Sequence, residues 1–349
     1  MILSGQNVYD SQEWLAVRQL EGTAFHSEST FQYPLPLAIL FSAVALIPIQ
    51  TAYILWMVLV QVALLTSIVI LLSFYPSRLG YLELLAIAGI FLFRPTFSII
   101  KNGQILAPLL LALSIAIWLL HKGNWFFAGL ILSVFSLKPS VGFPILILAG
   151  VWFLSKKQWR AIFGMIAGGL ALFVLGALVN PRWVIDYVNV SQNAFYKYYG
   201  MHPTIWGIID KIFEVDKISL PIGFVCVVAI FAVEVNLFWR HRSTLGVFSA
   251  SATILPAALL IAPYSWNYDQ ILLTIPIIFL LITISTKYGM GKAVLFMFGV
   301  VALAVGLVAI AYWLKHDVWS FLNSFVVWLF SLYFVTKGSQ PGNEAKMLS

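Results

Sequence analysis

A series of apolar runs, each about as long as a bilayer is thick, constrains this chain most. Residues 52–74 and 293–314 carry no charged side chain, and residues 220–239 carry one. About 20 apolar residues span a bilayer as a helix, whereas a β-barrel would show alternating strands of roughly ten residues. Because 61% of the 349 residues are hydrophobic and only 9% are charged, the chain cannot cover a soluble surface. The sequence therefore predicts an all-α polytopic membrane protein.

Eleven apolar segments are predicted to cross the membrane. They belong to a single integral-membrane domain, residues 1–336, which is followed by a cytoplasmic tail, residues 337–349. Within the domain, residues 1–50 hold an outward loop and an interfacial helix, and residues 51–336 hold the transmembrane bundle. The predicted crossings are residues 51–74, 79–93, 105–120, 125–137, 141–154, 161–179, 218–238, 244–262, 270–286, 293–314 and 319–336.

The connections between these segments alternate in charge. Every second connection is short and basic, as cytoplasmic loops are. The opposite set includes every long connection and holds ten of the thirteen acidic residues. We therefore predict a multi-pass protein of the plasma membrane with a cytoplasmic C-terminus and an outward-facing active site, and with no nucleic-acid partner. The basic connections contain Arg78, Lys122, Lys156, Lys157, Arg160, Arg240, Arg242, Lys287, Lys292, Lys337 and Lys346.

The connections alternate consistently between the two sides of the membrane only if residues 34–48 do not cross it and stay on the outer side. At about 1.5 Å per residue the segment reaches roughly 22 Å, which is short of the roughly 30 Å hydrocarbon core. An interfacial or re-entrant helix is therefore predicted here, with a short crossing as the alternative.

Lys138 and Pro139 interrupt an otherwise uncharged run over residues 125–154. An ionisable residue at membrane depth is a functional candidate by default. The segments on either side are only about 20 Å long, so Lys138 should lie below the outer surface. Broken backbone at that depth is tolerated where it is buried in protein or lines a wet cavity, and we predict a cavity here.

Further polar and aromatic residues fall on the same predicted outer side. Two cations, several carboxamides, aromatic rings and a carboxylate around one cavity would suit an anionic lipid headgroup that carries a sugar. Snorkelling at helix ends is the alternative role of the cations other than Lys138, and an interfacial belt is the alternative for the aromatic rings. These candidates are Tyr33, Arg94, Lys101, Asn102, Gln104, Trp266, Asn267 and Asp269.

The sequence contains no pattern typical of a metal site or of a reactive thiol pair. The single cysteine, Cys226, lies in an apolar segment, and the five histidines are scattered without ligand spacing. No metal and no cofactor are therefore expected.

Five short motifs follow one another along the chain. They are Asn7–Asp10, Phe31–Pro34, Asn102–Gln104, Ala128–Leu130 leading to Leu137–Pro139, and Pro263–Asp269. In this order and with this hydropathy profile, the chain resembles glycosyltransferase family 87. These are membrane enzymes of the GT-C superfamily, similar to polyprenol-phosphate-mannose-dependent α-mannosyltransferases. The resemblance covers nearly the whole chain and implies a GT-C-like helical bundle.

The resemblance also implies a reaction and a set of roles. A hexose, mannose in particular, would pass from a polyprenyl-phosphate donor to a hydroxyl of a lipid or glycan acceptor on the extracytoplasmic face. Lys138, with Arg94 or Lys101, would bind the donor phosphate without a metal. The sugar or the acceptor would contact Tyr33, Asn102, Gln104, Trp266, Asn267 and Asp269.

The N-terminus departs from the family pattern. Family members begin with a cytoplasmic N-terminus and a first transmembrane helix, which an acidic catalytic base follows. We therefore expect this sequence to be N-terminally truncated, with the usual base encoded upstream of Met1. Asp10 is the nearest outward carboxylate and the catalytic candidate, although an N-cap for a helix beginning at Ser11 is its favoured alternative role. Two other functions stay open, an inactive or truncated family member and a membrane transporter or flippase.

Overall fold

A computed structural model describes residues 1–2, 5–20, 31–74, 80–198, 200–214 and 216–338. In these residues the chain forms α-helices, short 3-10 turns and no strand, so the all-α prediction is confirmed. Arg78 and Lys346, two of the predicted cytoplasmic cations, lie outside the described residues.

Sixteen α-helices follow one another in the described part of the chain. Two 3-10 turns, Ser42–Leu46 and Ser133–Leu137, extend a helix at its end, and two others, Asn267–Leu273 and Val318–Ser320, lead into one. The helices are α1 (Ser11–Leu20), α2 (Leu35–Phe41), α3 (Ile49–Leu72), α4 (Gly80–Leu92), α5 (Arg94–Asn102), α6 (Leu106–His121), α7 (Trp125–Leu132), α8 (Pro139–Ser155), α9 (Trp159–Val179), α10 (Trp183–Tyr198), α11 (Ile205–Phe213), α12 (Asp216–Arg240), α13 (Val247–Ile261), α14 (Thr274–Tyr288), α15 (Met290–Leu314) and α16 (Phe321–Gly338).

Several of these helices are long and apolar enough to cross a membrane. Six qualify in the described residues, and α4 with α5 makes a seventh if this pair, bent by 60°, counts as one span. The other four predicted crossings are the shorter apolar helices α6, α7 with its 3-10 turn, α8 and α13. The polytopic character is confirmed, while the total of eleven crossings stays a prediction.

Two segments predicted as outer loops contain helices instead. Residues 94–104 contain α5, which has Pro95 in its first turn and buries Ile99, and which Gly103 caps in the left-handed conformation with φ 57°. Residues 180–217 contain α10 and α11. These helices keep apolar residues on one face and polar residues on the other, so a search for continuous apolar runs overlooks them.

Helices α7 and α9 pack backbone against backbone. A Cβ on Gly129 would overlap the carbonyl oxygen of Ala161, and a Cβ on Gly164 would overlap that of Phe126. Gly168, one turn beyond Gly164, leaves room for the Ser133 hydroxyl. Small residues four positions apart allow such close approach between membrane helices. The short helix α7 is thereby fixed against the longer α9.

A second glycine contact fixes the backbone break at Lys138. This residue has φ −134° and ψ 75°, and Pro139 then begins α8. The Gly142 amide donates to the Lys138 carbonyl oxygen at 2.8 Å, and a Cβ on Gly142 would overlap the carbonyl oxygen of Phe135. Lys138 is therefore the N-cap of a helix, not part of a free loop.

Candidate active site

Lys138 is buried in an ion pair with Asp269. Their side chains are almost inaccessible, since the residues expose 5% and 0% of their surface, and the Lys138 Nζ donates to the Asp269 Oδ1. The Trp266 backbone N–H donates to the Asp269 Oδ2 at 2.8 Å. The Lys138 Nζ also lies over the Tyr268 ring, 4.7 Å from the ring centroid. The cation that the sequence singles out is thus compensated by a carboxylate far along the chain, as a buried charge requires.

The 3-10 turn Asn267–Leu273 holds Asp269 in place. Trp266 and Asp269 cap the turn reciprocally, because the Asp269 amide donates to the Trp266 carbonyl oxygen at 2.9 Å while its carboxylate accepts from the Trp266 amide. The turn packs against α5, α6 and α13 and leads directly into α14. A carboxylate held this way keeps the ammonium of Lys138 in a fixed position.

Tyr33 and Gln104 meet beside this ion pair. The Tyr33 hydroxyl donates to the Gln104 Oε1 at 3.1 Å, and the Tyr33 carbonyl accepts from the Tyr9 hydroxyl at 2.8 Å. Burial, followed by the nearby Asp269 carboxylate, raises the pKa of the Tyr33 hydroxyl. Tyr33 therefore stays protonated at neutral pH and can both donate and accept hydrogen bonds.

A second pair of tyrosines joins the same cluster. Tyr264 hydrogen-bonds Ser140, two residues beyond Lys138, and shares a hydrogen bond with Tyr187 of α10. Burial raises the pKa of both tyrosine hydroxyls. The ion pair is thus accompanied by neutral hydroxyl groups, each of which can donate and accept hydrogen bonds.

His202 closes one side of the loop that precedes the 3-10 turn. Its Nδ1 lies 3.0 Å from the Ser265 carbonyl oxygen, and its ring meets Trp266 edge to face with centroids 4.8 Å apart. Burial lowers the pKa of His202 from 6.5 to about 4, against the smaller opposite effects of the Ser265 carbonyl and of Asp269. The ring is therefore neutral at physiological pH, and because a carbonyl only accepts, its proton resides on Nδ1.

Arg94 and Asn267 form a second polar group at the other side of the 3-10 turn. The Arg94 Nη1 lies 2.7 Å from the Asp317 Oδ1 and 3.0 Å from the Ser320 hydroxyl. The Asn267 Nδ2 donates to the Asp317 Oδ2 at 2.6 Å. Both candidates are thus bound to Asp317, which fixes α5 against the start of α16.

The remaining candidates lie at the edges of this region. Lys101 and Asn102 are exposed at the end of α5. Asp10 is exposed as well, and its Oδ1 accepts from the amides of Gln12 at 2.8 Å and Glu13 at 3.0 Å. The N-cap role predicted for Asp10 is therefore confirmed.

The N-terminal residues pack beside the site without supplying a buried carboxylate from the described part of the segment. Met1 lies against a small apolar cluster that includes Tyr9, Leu35 and Trp183. Tyr9 in turn bonds to Tyr33, so this cluster connects the start of the chain to the site. The catalytic base expected upstream of Met1 stays a prediction, because it concerns residues outside this sequence.

The structure brings five of the predicted residues into one cluster and adds others that sequence reasoning missed. The cluster contains Tyr33, Gln104, Lys138, Trp266 and Asp269. Asp317 was missed although it is an isolated acidic residue after a long apolar helix, a pattern that could have marked it. Tyr187 and His202 were missed because they lie in residues 180–217, which we treated as a loop.

Comparison with known proteins gives one match. The model of glycosyltransferase family 87 matches residues 31–274, more than two thirds of the chain. Four of the five sequence motifs and all five clustered residues lie inside this range, whereas Asp10 and Asp317 lie outside it. No curated protein and no solved structure matches the chain.

Proposed function

Since the chain belongs to glycosyltransferase family 87, a family of membrane glycosyltransferases, we propose that it transfers a hexose, specifically mannose, from a polyprenyl-phosphate donor to an acceptor hydroxyl. The transfer takes place at the outer face of the plasma membrane, and a membrane-embedded lipid or glycan is the acceptor. The observation that carries this proposal is the buried Lys138–Asp269 pair among neutral tyrosine hydroxyls.

Lys138 binds the donor phosphate. Asp269 occupies one of the three N–H donors of the ammonium, so the other donors serve the phosphate oxygens. Negative charge builds on this phosphate as the bond between the anomeric carbon and its oxygen breaks. A fixed cation in a site of low dielectric stabilises that charge more strongly than a cation in water. Arg94 and Lys101 on α5 are the proposed further cations for the phosphate.

The sugar and the acceptor contact the polar groups around the pair. The Tyr33 hydroxyl and the Gln104 carboxamide offer donors and acceptors to sugar hydroxyls, and Trp266 offers a ring for stacking. Asn102 and Asn267 are proposed contacts at the periphery. Asp269 serves mainly through Lys138, whose ammonium it positions.

The acceptor oxygen attacks the anomeric carbon, the lipid phosphate leaves with the electron pair of the broken bond, and a carboxylate takes the acceptor's proton. Asp10 is the proposed carboxylate. It is exposed, and its neighbour Tyr9 bonds to the Tyr33 carbonyl at the cluster. Asp10→Asn tests this role cleanly, because Asn caps a helix as well as Asp does. We expect transfer to fall by about 10²–10⁴-fold with α1 intact. Unchanged transfer would show that Asp10 acts only as the N-cap of α1.

The transfer reaction itself is tested with purified protein and a polyprenyl-phosphate sugar that is labelled in the sugar. We expect wild-type protein to release labelled product and Lys138→Ala to lose it. The matched control is Lys122→Ala, which removes an exposed lysine at the other end of the bundle. Wild-type-like transfer by Lys138→Ala would remove this lysine from the mechanism. Absence of transfer by folded wild-type protein with every sugar donor would favour the inactive family member, and movement of intact donor across the bilayer would favour a flippase.

A further inference from the structure

Three exposed lysines lie at neighbouring ends of α14, α15 and α16, and two of them contact an aromatic pair on α16. The Lys287 Nζ lies 6.0 Å from the centroid of the Phe334 ring, and the Lys337 Nζ lies 4.6 Å from that of Tyr333. The rings of Tyr333 and Phe334 touch with centroids 5.2 Å apart. The third cation, Lys292, is on the first turn of α15. In the part of the chain that the structure describes, none of these lysines forms an ion pair.

An apolar cavity of about 400 Å³ begins at Lys292. It lies between α15 and α16, and its lining along α15 runs from Lys292 to Leu303. The eleven steps from Lys292 to Leu303, at about 1.5 Å each, make roughly 16 Å, which is half of the roughly 30 Å hydrocarbon core. Along α15 the cavity is therefore about as long as one leaflet, and its far end reaches Phe93 and Asn323. Its apolar lining includes Phe93, Leu295, Phe296, Val300, Val327 and Phe330.

We propose that this cluster and cavity form a binding site for one anionic phospholipid of the cytoplasmic leaflet. The three lysines bind the phosphate of the headgroup, and one acyl chain enters the cavity. Charge complementarity supports this occupant, because cations that have no acidic partner among the described residues, at the mouth of an apolar cleft, favour an anionic head on an apolar chain. The leaflet follows from the basic connections, which place this end of the bundle in the cytoplasm.

The lysine cluster is separate from the candidate active site, whereas the far end of the cavity reaches Asn323, which donates to Gln270 of the 3-10 turn Asn267–Leu273. The active-site cluster lies on the predicted outer side, whereas the lysines lie at the opposite ends of α14 and α16. Glu83 lies in the first turn of α4, which packs on α15, yet it forms no ion pair with the lysines among the described residues. Lipid binding here can therefore be measured without any assay of sugar transfer.

The headgroup is tested by native mass spectrometry of the delipidated, full-length protein with phosphatidylglycerol or phosphatidylcholine. We expect one molecule of phosphatidylglycerol to bind with clear preference. Replacing Lys287, Lys292 and Lys337 together by Gln should weaken its binding at least about tenfold. The matched control replaces Lys122, Arg160 and Arg242 by Gln, removing the same charge from exposed positions elsewhere on the predicted cytoplasmic side, and it should keep the preference.

The acyl chain is tested with two glycines of α15. A Cβ added at Gly299 or Gly306 would meet no atom within 4 Å, so both positions accept a larger residue, but only Gly299 lines the cavity. Gly299→Leu fills the cavity and should lower phosphatidylglycerol binding by about tenfold or more. Gly306→Leu should bind as the wild type does.

Three results would overturn the proposal. The lysine variant could keep its preference, phosphatidylcholine could bind as tightly as phosphatidylglycerol, or Gly299→Leu could bind both lipids unchanged. Loss of sugar transfer in Gly299→Leu without loss of phosphatidylglycerol binding would assign the cavity to the chain of the polyprenyl donor instead. If Gly299→Leu fails to fold, the binding of phosphatidylglycerol by the triple lysine variant tests the proposal alone.

Discussion

The Lys138–Asp269 pair is buried where an uncompensated charge would be costly. Removing one partner of a buried ion pair typically destabilises a protein by about 3–5 kcal/mol, whereas a neutral pair of similar volume is often tolerated. The pair therefore has two separable contributions, one to stability through mutual neutralisation and one to the reaction through the cation.

Single and double variants separate these contributions. We expect Lys138→Met and Asp269→Asn each to lower the thermal unfolding temperature in detergent, because each leaves one buried charge. The double variant should recover most of the loss, since the carboxamide oxygen of the introduced asparagine still accepts from the Trp266 amide, but it should not transfer sugar because the cation is gone. Lys122→Met is the control. If the two destabilisations simply add, the pair is not energetically coupled.

His202 makes stability depend on pH. Its pKa is lowered by burial to about 4 from an ordinary 6.5, so below pH 6.5 the unfolded chain binds a proton that the folded protein excludes. The free energy of unfolding should therefore fall as the pH falls from about 6.5 to about 4. Unfolding temperatures across this window should show the loss in wild-type protein and in His241→Gln, but a flatter profile in His202→Gln. An equal slope in His202→Gln would assign the acid sensitivity to other groups.

Sequence reasoning identified Lys138 because one charge in a long uncharged run is conspicuous. It also selected Asp269, but as a sugar contact and not as the partner of Lys138. The two residues are 131 positions apart, and no local pattern records such a pairing. Arg94 and Asn267 were likewise selected, although their shared partner Asp317 was not.

At the scale of elements, the glycines decide where backbone segments can touch. Gly142 and Gly150 both lie on α8. A Cβ at Gly142 would overlap the Phe135 carbonyl oxygen, whereas a Cβ at Gly150 would meet only the Met165 methyl carbon at 3.8 Å, an ordinary contact. The first glycine therefore fixes the helix break, and the second is a mid-helix glycine without such a role.

This difference predicts opposite effects of the same substitution. Gly142→Ala should destabilise the protein and lower sugar transfer, because α8 must move away from Phe135 and carries Lys138 with it. Gly150→Ala should be neutral or stabilise by about 0.5–1 kcal/mol, the usual gain over Gly in a helix. Thermal unfolding and the transfer assay measure both. Equal behaviour of the two variants would show that the contact at Gly142 is not needed.

The apolar helices could be predicted to within about four residues at each end, because about 20 uncharged residues leave little choice. The predicted crossing 293–314, for example, lies within α15 (Met290–Leu314). Helices α5, α10 and α11 could not be found in this way, since each has a polar face. The break at Lys138 was predicted correctly. The 3-10 turn Asn267–Leu273 was not, because its first residues were predicted as an outer loop and the others as the start of the crossing 270–286.

At the scale of the whole molecule, orientation is the prediction on which both proposed sites depend. Cys226 is the single cysteine of the chain, so its replacement by Ala gives a cysteine-free background. In that background, Arg182→Cys should react with a membrane-impermeant maleimide in intact cells. Lys122→Cys should react only after permeabilisation. Both positions are exposed. The reverse pattern would invert the topology and move the reaction to the cytoplasmic face.

The number of crossings could not be settled from segment lengths alone. Helices α6, α8 and α13 are shorter than a full span, and their apolar residues are largely buried against other helices. The prediction of eleven crossings therefore rests on the charges of the connections and not on segment lengths. A short helix can still cross where it is untilted or where the bilayer is locally thinner, and the charges of the connections do not depend on either.

The 3-10 turn Asn267–Leu273 makes the spacing of this part of the chain intolerant of insertions and deletions. With three residues per turn, Asn267 and Asp269 point in different directions, one to Asp317 and the other to Lys138. One added or deleted residue between them would rotate one side chain by about 120° and break one of the two contacts. Length variation among natural or engineered variants should therefore be absent here, even where side chains change freely.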